Sequence, residues 1–257
     1  MILETVTPVR GSHTGGSLSV TDLLVALYFG ALKLDPAQPD NPERDLVVYS
    51  KGHCALARYC TLVERGFAPP QALSGYYVDG GNLPGHPVRG WLPGVEVSTG
   101  SLGHGLPVAV GLAISRKRLG RAGRIFCILS DGECDEGSTW EAAMLAGFLG
   151  LDNLVAVIDY NHLQGFGSTA EVVDLEPLTA KWQSFRWHAR GVDGHDFPQI
   201  LDALLAIPFA AGNPSVLIAQ TVKGKGVTQM EYQLAWHYRS LDDPADYARA
   251  LREVESS

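Results

Sequence analysis

Three polar side chains stand directly behind short apolar runs of this 257-residue sequence. Asp131 follows the run from Arg124 to Leu129, Asn161 follows Leu154 to Ile158, and Lys223 follows Ser215 to Gln220. Apolar runs of that length, rich in Val and Ile, read as buried strands. Parallel neighbouring strands bring their carboxyl ends together, so Asp131 and Asn161 converge although 30 positions apart. A carboxylate plus a carboxamide oxygen is hard-oxygen ligation of the kind Mg²⁺ prefers, and so small a set leaves coordination positions for a ligand's phosphates. A plainer reading stands beside it: Asp131 caps the helix that starts near Ser138, and Asn161 forms a turn. Residue types alone leave both open. The loops Ser50-Lys-Gly-His53, Gly80-Gly-Asn-Leu-Pro-Gly-His-Pro87 and Gly90-Trp-Leu-Pro-Gly94 are dense in Gly, Pro and His. Such segments either line a site or run over the surface.

The elements that must position these groups alternate along the chain. Leucines at 18, 23, 24, 27 and 32 predict an amphipathic helix from Leu18 to Leu32, with Ser17 or Ser19 as its cap. Leu46 to Tyr49 reads as a strand, and Ala55 to Glu64 as a helix. Ser98-Thr-Gly-Ser-Leu-Gly-His-Gly105 opens a small-residue helix reaching Leu119, with Pro107 in its first turn, where a missing amide costs nothing. The clearest unit is a strand ending near Leu129, the turn Ser130-Asp-Gly132, a helix from Ser138 to Leu149 and the strand from Leu154. A helix over 178–185, a strand over 187–192, a helix over 197–205 and the strand 215–220 continue the pattern, and a short helical tail follows Ser240. Strands that are apolar throughout belong to a parallel sheet covered on both faces. The expectation is one doubly wound α/β domain over residues 1–257, with a mostly parallel sheet, helices on both faces and ligands at the carboxyl ends of the strands.

Composition excludes several functions. The chain has 28 acidic and 20 basic residues for a net charge of −8, and no basic run to meet a nucleic-acid backbone. No apolar stretch reaches the ~18 residues of a membrane helix, and residues 1–10 lack the layout of a signal peptide. Cys54, Cys60, Cys127 and Cys134 show neither CxxC spacing nor the density of a secreted scaffold, and read as reduced, cytoplasmic thiols. No strand–GxGxxG–helix unit is present, so a nicotinamide-binding domain is not expected.

The motifs are more specific than the pattern. Ser130-Asp-Gly132, followed after 27 residues by Tyr160-Asn161, resembles the thiamine diphosphate motif that begins GDG and ends NN. Gly11-Ser-His-Thr-Gly-Gly-Ser17, Tyr49-Ser-Lys-Gly-His53, Leu83-Pro-Gly-His-Pro87 and Ser98 to Gly105 resemble, in order, the SGHPGGS, LSKGH, GHP and TGSLGQG boxes of transketolases. Thr221-Val-Lys-Gly-Lys-Gly-Val227, Met230-Glu231 and Trp236-His237 resemble that family's KGKGV, ME and WH tail. The resemblance runs from Gly11 to Asp242.

It implies a thiamine diphosphate-binding fold, with Asp131, Asn161 and the Leu163 carbonyl on Mg²⁺, which bridges the cofactor's phosphates. Gly132 lets the backbone approach a phosphate, Gly100 and Leu102 lie near the cofactor's rings, and Lys223 either assists the phosphates or is a solvated strand-end lysine. His13 and His86 match positions that bond donor and acceptor hydroxyls. His53 and His237 match positions between the diphosphate and the reacting carbon, with His237 as proton shuttle. Imidazoles suit a reaction that moves protons on hydroxyls near neutral pH. Glu136 matches a glutamate linked to activation of the partner's cofactor, or is a solvated helix-start residue. The sequence departs from the family at Thr14 (Pro), His104 (Gln), Ser130 (Gly) and Tyr160 (Asn), and His195 is expected to be structural.

By the same resemblance, the residues that protonate and hold the cofactor's aminopyrimidine ring belong to a pyrimidine-binding domain, for which this chain has no room. The expectation is therefore one half of a split transketolase, inactive alone. It would pair as α2β2 with a separately encoded polypeptide through an apolar face supplied by the helix from Leu106 and by an exposed Trp140. It would transfer a two-carbon ketol unit between sugars. Acyl transfer from pyruvate and a non-catalytic scaffold of the same fold are the alternatives.

Overall fold

A computed structural model describes residues 1–9, 11 and 13–256, the side chains of residues 7–9 excepted. Five strands form one wholly parallel sheet: β1 (Leu46–Tyr49), β2 (Ile125–Ser130), β3 (Leu154–Tyr160), β4 (His188–Asp193) and β5 (Ser215–Gln220), in the spatial order β1-β2-β3-β5-β4. The helices are α1 (Ile2–Val9), α2 (Thr14–Ser19), α3 (Thr21–Val25), α4 (Ala55–Glu64), α5 (Gly105–Arg118), α6 (Gly137–Phe148), α7 (Thr169–Val172), α8 (Leu178–Ser184), α9 (Phe197–Leu205) and α10 (Pro244–Ser256).

Alternate strand residues enter different cores, as a pleat of period two requires. Phe126 and Ile128 join a cluster with residues of α3, α4 and α9. Ile125, Cys127 and Leu129 join one with α5, α6 and α8 on the opposite face. The expected sheet with helices on both faces is what forms. A third cluster, of Leu3, Leu18, Val227, Met230, Trp236, Leu241 and Ala250, fastens both ends of the chain beside the sheet.

The expected helix from Leu18 to Leu32 is broken into α2, α3 and a π-helical turn, Ala26–Ala31. Neither Ser17 nor Ser19 caps it. Both lie inside α2, whose six residues are all buried, and Ser19 Oγ donates to Asp159 Oδ2 at 2.6 Å. His13 precedes α2 in the left-handed conformation, φ 63°. Trp140 is not exposed. It is half-buried against Trp182 and Phe185, and its Nε1 donates to the Cys134 carbonyl at 2.8 Å. The apolar surface of α6 lies one turn further on, at Met144, Leu145, Phe148 and the adjoining Leu149, all more than 40% exposed.

Candidate active site

β2 and β3 are neighbours in register, Ser130 opposite Asp159, so Asp131 and Asn161 emerge side by side. Asp131 opens a 3-10 turn, Asp131–Asp135, and is buried. Its Oδ1 accepts from the Gly132 amide and its Oδ2 from the His162 amide, both at 2.8 Å. It does not cap the following helix, whose N-cap position is Glu136. Burial pushes the Asp131 carboxyl up to about 6, although the Lys51 ammonium opposes the shift. Asn161 Oδ1 accepts from the Leu163 amide at 3.1 Å, and its Nδ2 donates to Ser19 Oγ at 3.3 Å. Lys223 Nζ donates to the Leu163 carbonyl at 3.0 Å and stands 2.6 Å from His237 Nδ1. Burial and the charge of Lys51 bring the Lys223 ammonium down to about 8.

Three imidazoles converge above these groups. The ring of His13 lies 5.2 Å from that of His53 and 5.0 Å from that of His237, and the last two stack at 6.0 Å. The His13 amide donates to the His237 carbonyl at 3.0 Å, which joins the segment before α2 to the segment after β5. Burial lowers all three rings, and neighbouring charges add to it: His13 to about 4, His237 to about 3, and His53 well below its ordinary value. All three are uncharged at neutral pH. A protonated lysine has no lone pair, so Lys223 donates to His237 Nδ1 and the ring carries its proton on Nε2.

These residues line one cavity of about 380 Å³, together with Gly100, Leu102, Gly132, Glu136 and the Leu163 segment. Of the residues that the resemblance assigns to cofactor, metal or substrate, His86 alone lies outside it. His86 is exposed in an adjoining groove with His13, Tyr76 and Tyr77, and its ring packs against Gly100, where a Cβ would come within 2.9 Å of Cδ2. His104 is exposed beside that groove. His195 has the structural part expected of it: its Nε2 accepts from the Val222 amide and its Nδ1 faces Asp22 at 2.7 Å. Ser12, within the first motif, lies outside the described residues.

Sequence reasoning missed the layer beneath. Lys51 is buried, donates to the Gly16 carbonyl at 3.1 Å and pairs with Asp159, which also accepts from Ser19 and Thr221. Burial alone would lower the lysine, but Asp159 holds it above its ordinary value. The available signal was Asp159 itself, a carboxylate inside an otherwise apolar strand, which demands a buried partner. Glu133, also fully buried, accepts from Ser50 Oγ, Gly103 N and Ser130 N, and so ties three site loops to one carboxylate.

The donor set suits an oxygen-seeking cation. Among the described residues no cluster of three or more His, Cys, Asp or Glu could hold a metal. A divalent ion here would therefore rest on the single carboxylate of Asp131, the Asn161 amide oxygen and the Leu163 carbonyl, with a ligand's phosphates completing the shell. The raised Asp131 carboxyl is that of a buried acid still short of positive charge. Gly132 leaves space beside it: a Cβ there would meet nothing nearer than Gln164 at 3.4 Å.

Residues 1–253 match the family described as "Transketolase, thiamine diphosphate binding domain". The chain belongs to the transketolase family. Transketolases are transferases, and this is the enzyme class of the named relatives. An apulose-4-phosphate transketolase subunit from Actinobacillus succinogenes is 44% identical over 229 residues, 89% of this chain and 83% of that one. The 6-deoxy-6-sulfo-D-fructose transketolase subunit SqwG of a Clostridium species is 41% identical over 255 residues, 99% of this chain and 92% of that one. The solved transketolase of Leishmania mexicana superposes with a TM-score of 0.92 at 28% identity, covering 99% of this chain. This chain spans 39% of that longer transketolase, and 38% of the human one, to which it is 34% identical over 240 residues.

Proposed function

We propose that this chain is the amino-terminal, diphosphate-binding subunit of a split transketolase, and that it moves a two-carbon ketol unit from a ketose or ketose phosphate to an aldehyde acceptor. The observation that carries the reading is the convergence of Asp131, Asn161, the Leu163 carbonyl and Lys223 with three uncharged imidazoles in one cavity at the strand ends. Asp131, Asn161 and Leu163 would hold Mg²⁺; Lys223 and the open space beside Gly132 would hold the diphosphate. Gly100 and Leu102 would border the rings. Thiamine diphosphate supplies, when bound, the nucleophile and electron sink that let a carbon–carbon bond next to a carbonyl break and re-form.

The chain's own residues handle protons and orientation. His237, with its proton held on Nε2 by Lys223, donates to a substrate oxygen and recovers the proton afterwards. His13 and His53, uncharged and packed with their rings tilted to one another, accept protons from sugar hydroxyls. His86, at the rim beside Gly100, bonds the hydroxyls further from the reacting carbon. Glu136, exposed at the cavity edge, faces a partner rather than the substrate.

A separately encoded subunit with the pyrimidine-binding domain would complete the site, in an α2β2 assembly. Two features support a partner: the bare apolar face of α6, and Phe166, which lines the cavity mouth and is 86% exposed. Two of the relatives carry subunit designations, and their named sugars are a phosphate and a sulfo-sugar, which favours an anionic sugar substrate. The described helices include none long and apolar enough to cross a membrane, and all four cysteines are free and buried, in keeping with a cytoplasmic enzyme.

The test is calorimetry and product analysis on the reconstituted pair. Micromolar binding of thiamine diphosphate that requires Mg²⁺, together with glycolaldehyde-unit transfer from a ketose phosphate, is expected. Turnover of pyruvate alone would replace ketol with acyl transfer, and no binding at millimolar cofactor would leave a scaffold.

A further inference from the structure

Beside α5, and sharing no lining residue with the histidine cavity, lies an open cleft of about 950 Å³. Its walls carry four arginines, Arg44, Arg89, Arg116 and Arg121, against two acids, Asp40 and Glu96. Arg116 is the anomaly. It is 6% exposed, it has neither an ion pair nor a side-chain hydrogen bond among the described residues, and its Nη1 is buried without a partner there.

The neighbouring acids are committed elsewhere. Glu96 accepts from Arg44 at 2.7 Å and from Arg58 at 2.8 Å. Asp45 is held by Arg124, and Glu43 accepts from the Ala122 amide at 2.9 Å. Asp40 is solvent-exposed, unlike Arg116. The C-terminal turn of α5 offers Arg116 only a partial negative charge. Burial and the charge of Arg44 both make its proton easier to lose than an ordinary arginine's. A guanidinium out of water needs a counter-charge, and the described residues give this one no ion pair, only the pull from a distance of Asp45 and Glu43, both held by other groups. Gly123 is fitted to it, because a side chain there would collide with Nη1.

We infer that this cleft binds a phosphate-class oxyanion, with Arg116 at its floor and the exposed guanidinia of Arg121 and Arg89 closing over it. Planar forked donors match such an anion bidentately. The anion reaches the site either as inorganic phosphate or as the phosphate of a small metabolite. The inference does not depend on the catalytic reading of the other cavity.

The experiment is thermal unfolding of the full chain against inorganic phosphate and against ribose 5-phosphate, at ionic strength matched with sodium chloride. A ligand that binds only the folded state raises the midpoint in a saturable way. Saturable stabilisation is expected in the wild type and in Lys223→Met, which removes one of the two lysines lining the other cavity, the other, Lys51, being paired with Asp159. Arg116→Met is expected to weaken apparent affinity by roughly tenfold or more, the loss of a charge-assisted contact. It should also unfold no earlier than the wild type without phosphate. Arg121→Gln, at an exposed position, gives a smaller weakening and decides the matter should Arg116→Met fail to fold. Tighter binding of ribose 5-phosphate identifies a metabolite, and equal binding identifies phosphate itself. No saturable response, or a response equal in the wild type and Arg121→Gln or Arg116→Met, overturns the inference. So does a wild type blind to phosphate whose assembly with the partner subunit weakens on Arg116→Met, because an acidic side chain of the partner would then be the counter-charge.

Discussion

Three imidazoles that refuse protons leave a signature in stability. A depressed histidine contributes stability that is present above its unfolded pKa near 6.5 and is lost as pH falls, since the unfolded chain takes up the proton and the folded chain does not. His13, His53 and His237 act together in this sense, while the raised carboxyls of Asp131, Glu133 and Asp135 bind protons in the folded state and oppose them. With a net uptake of one to two protons on unfolding, stability falls by ~2 kcal/mol per pH unit between pH 6.5 and 5.5. Urea denaturation across that window measures the slope, and His13→Gln with His237→Gln flattens it. At the same scale, Gly132→Ala separates site from scaffold. Its Cβ meets only Gln164, at ordinary contact distance, so the chain keeps its stability within ~0.5 kcal/mol. Cofactor affinity of the reconstituted pair falls at least tenfold, and calorimetry reads both.

At the scale of elements, the Lys51–Asp159 pair joins the loop after β1 to β3, and through Ser19 and Thr221 reaches α2 and the end of β5. Removing one member of a buried pair strands the other, so Lys51→Met costs ~3–5 kcal/mol of unfolding free energy. Adding Asp159→Asn recovers much of that, and a double-mutant cycle by chemical denaturation tests both statements. The same region shows how far sequence carries. β2, β3 and β5 were legible because unbroken apolar runs have few other uses, and the convergence of Asp131 with Asn161 followed from parallel pairing. The break of the first long helix was not. Thr14-Gly-Gly is a poor helix by propensity, and its glycines are there because a Cβ on Gly15 would come within 3.2 Å of the Trp236 carbonyl and one on Gly16 would collide with Cys54, neighbours supplied by residues far along the chain. The motifs named which residues meet, while the uncharged state of the histidines and the arginine cleft required the burial that only packing reveals.

For the whole molecule, the open question is the surface. Met144, Leu145, Phe148 and Leu149 form one apolar stripe on α6, and Phe148 is 73% exposed. Met144→Lys with Phe148→Glu is expected to abolish assembly with the partner subunit on gel filtration while the isolated chain keeps its circular dichroism and melting temperature. A pair that still co-elutes would move the interface elsewhere.

The amide of His13 hands its hydrogen to the carbonyl of His237, so the proposed reacting centre is also the clasp where the polypeptide closes on itself. A protease nibbling at either extremity would leave the β-sheet and both flanking cores standing. It would unfasten that clasp first, and circular dichroism would register a healthy protein whose complex with the partner subunit is expected to lose turnover.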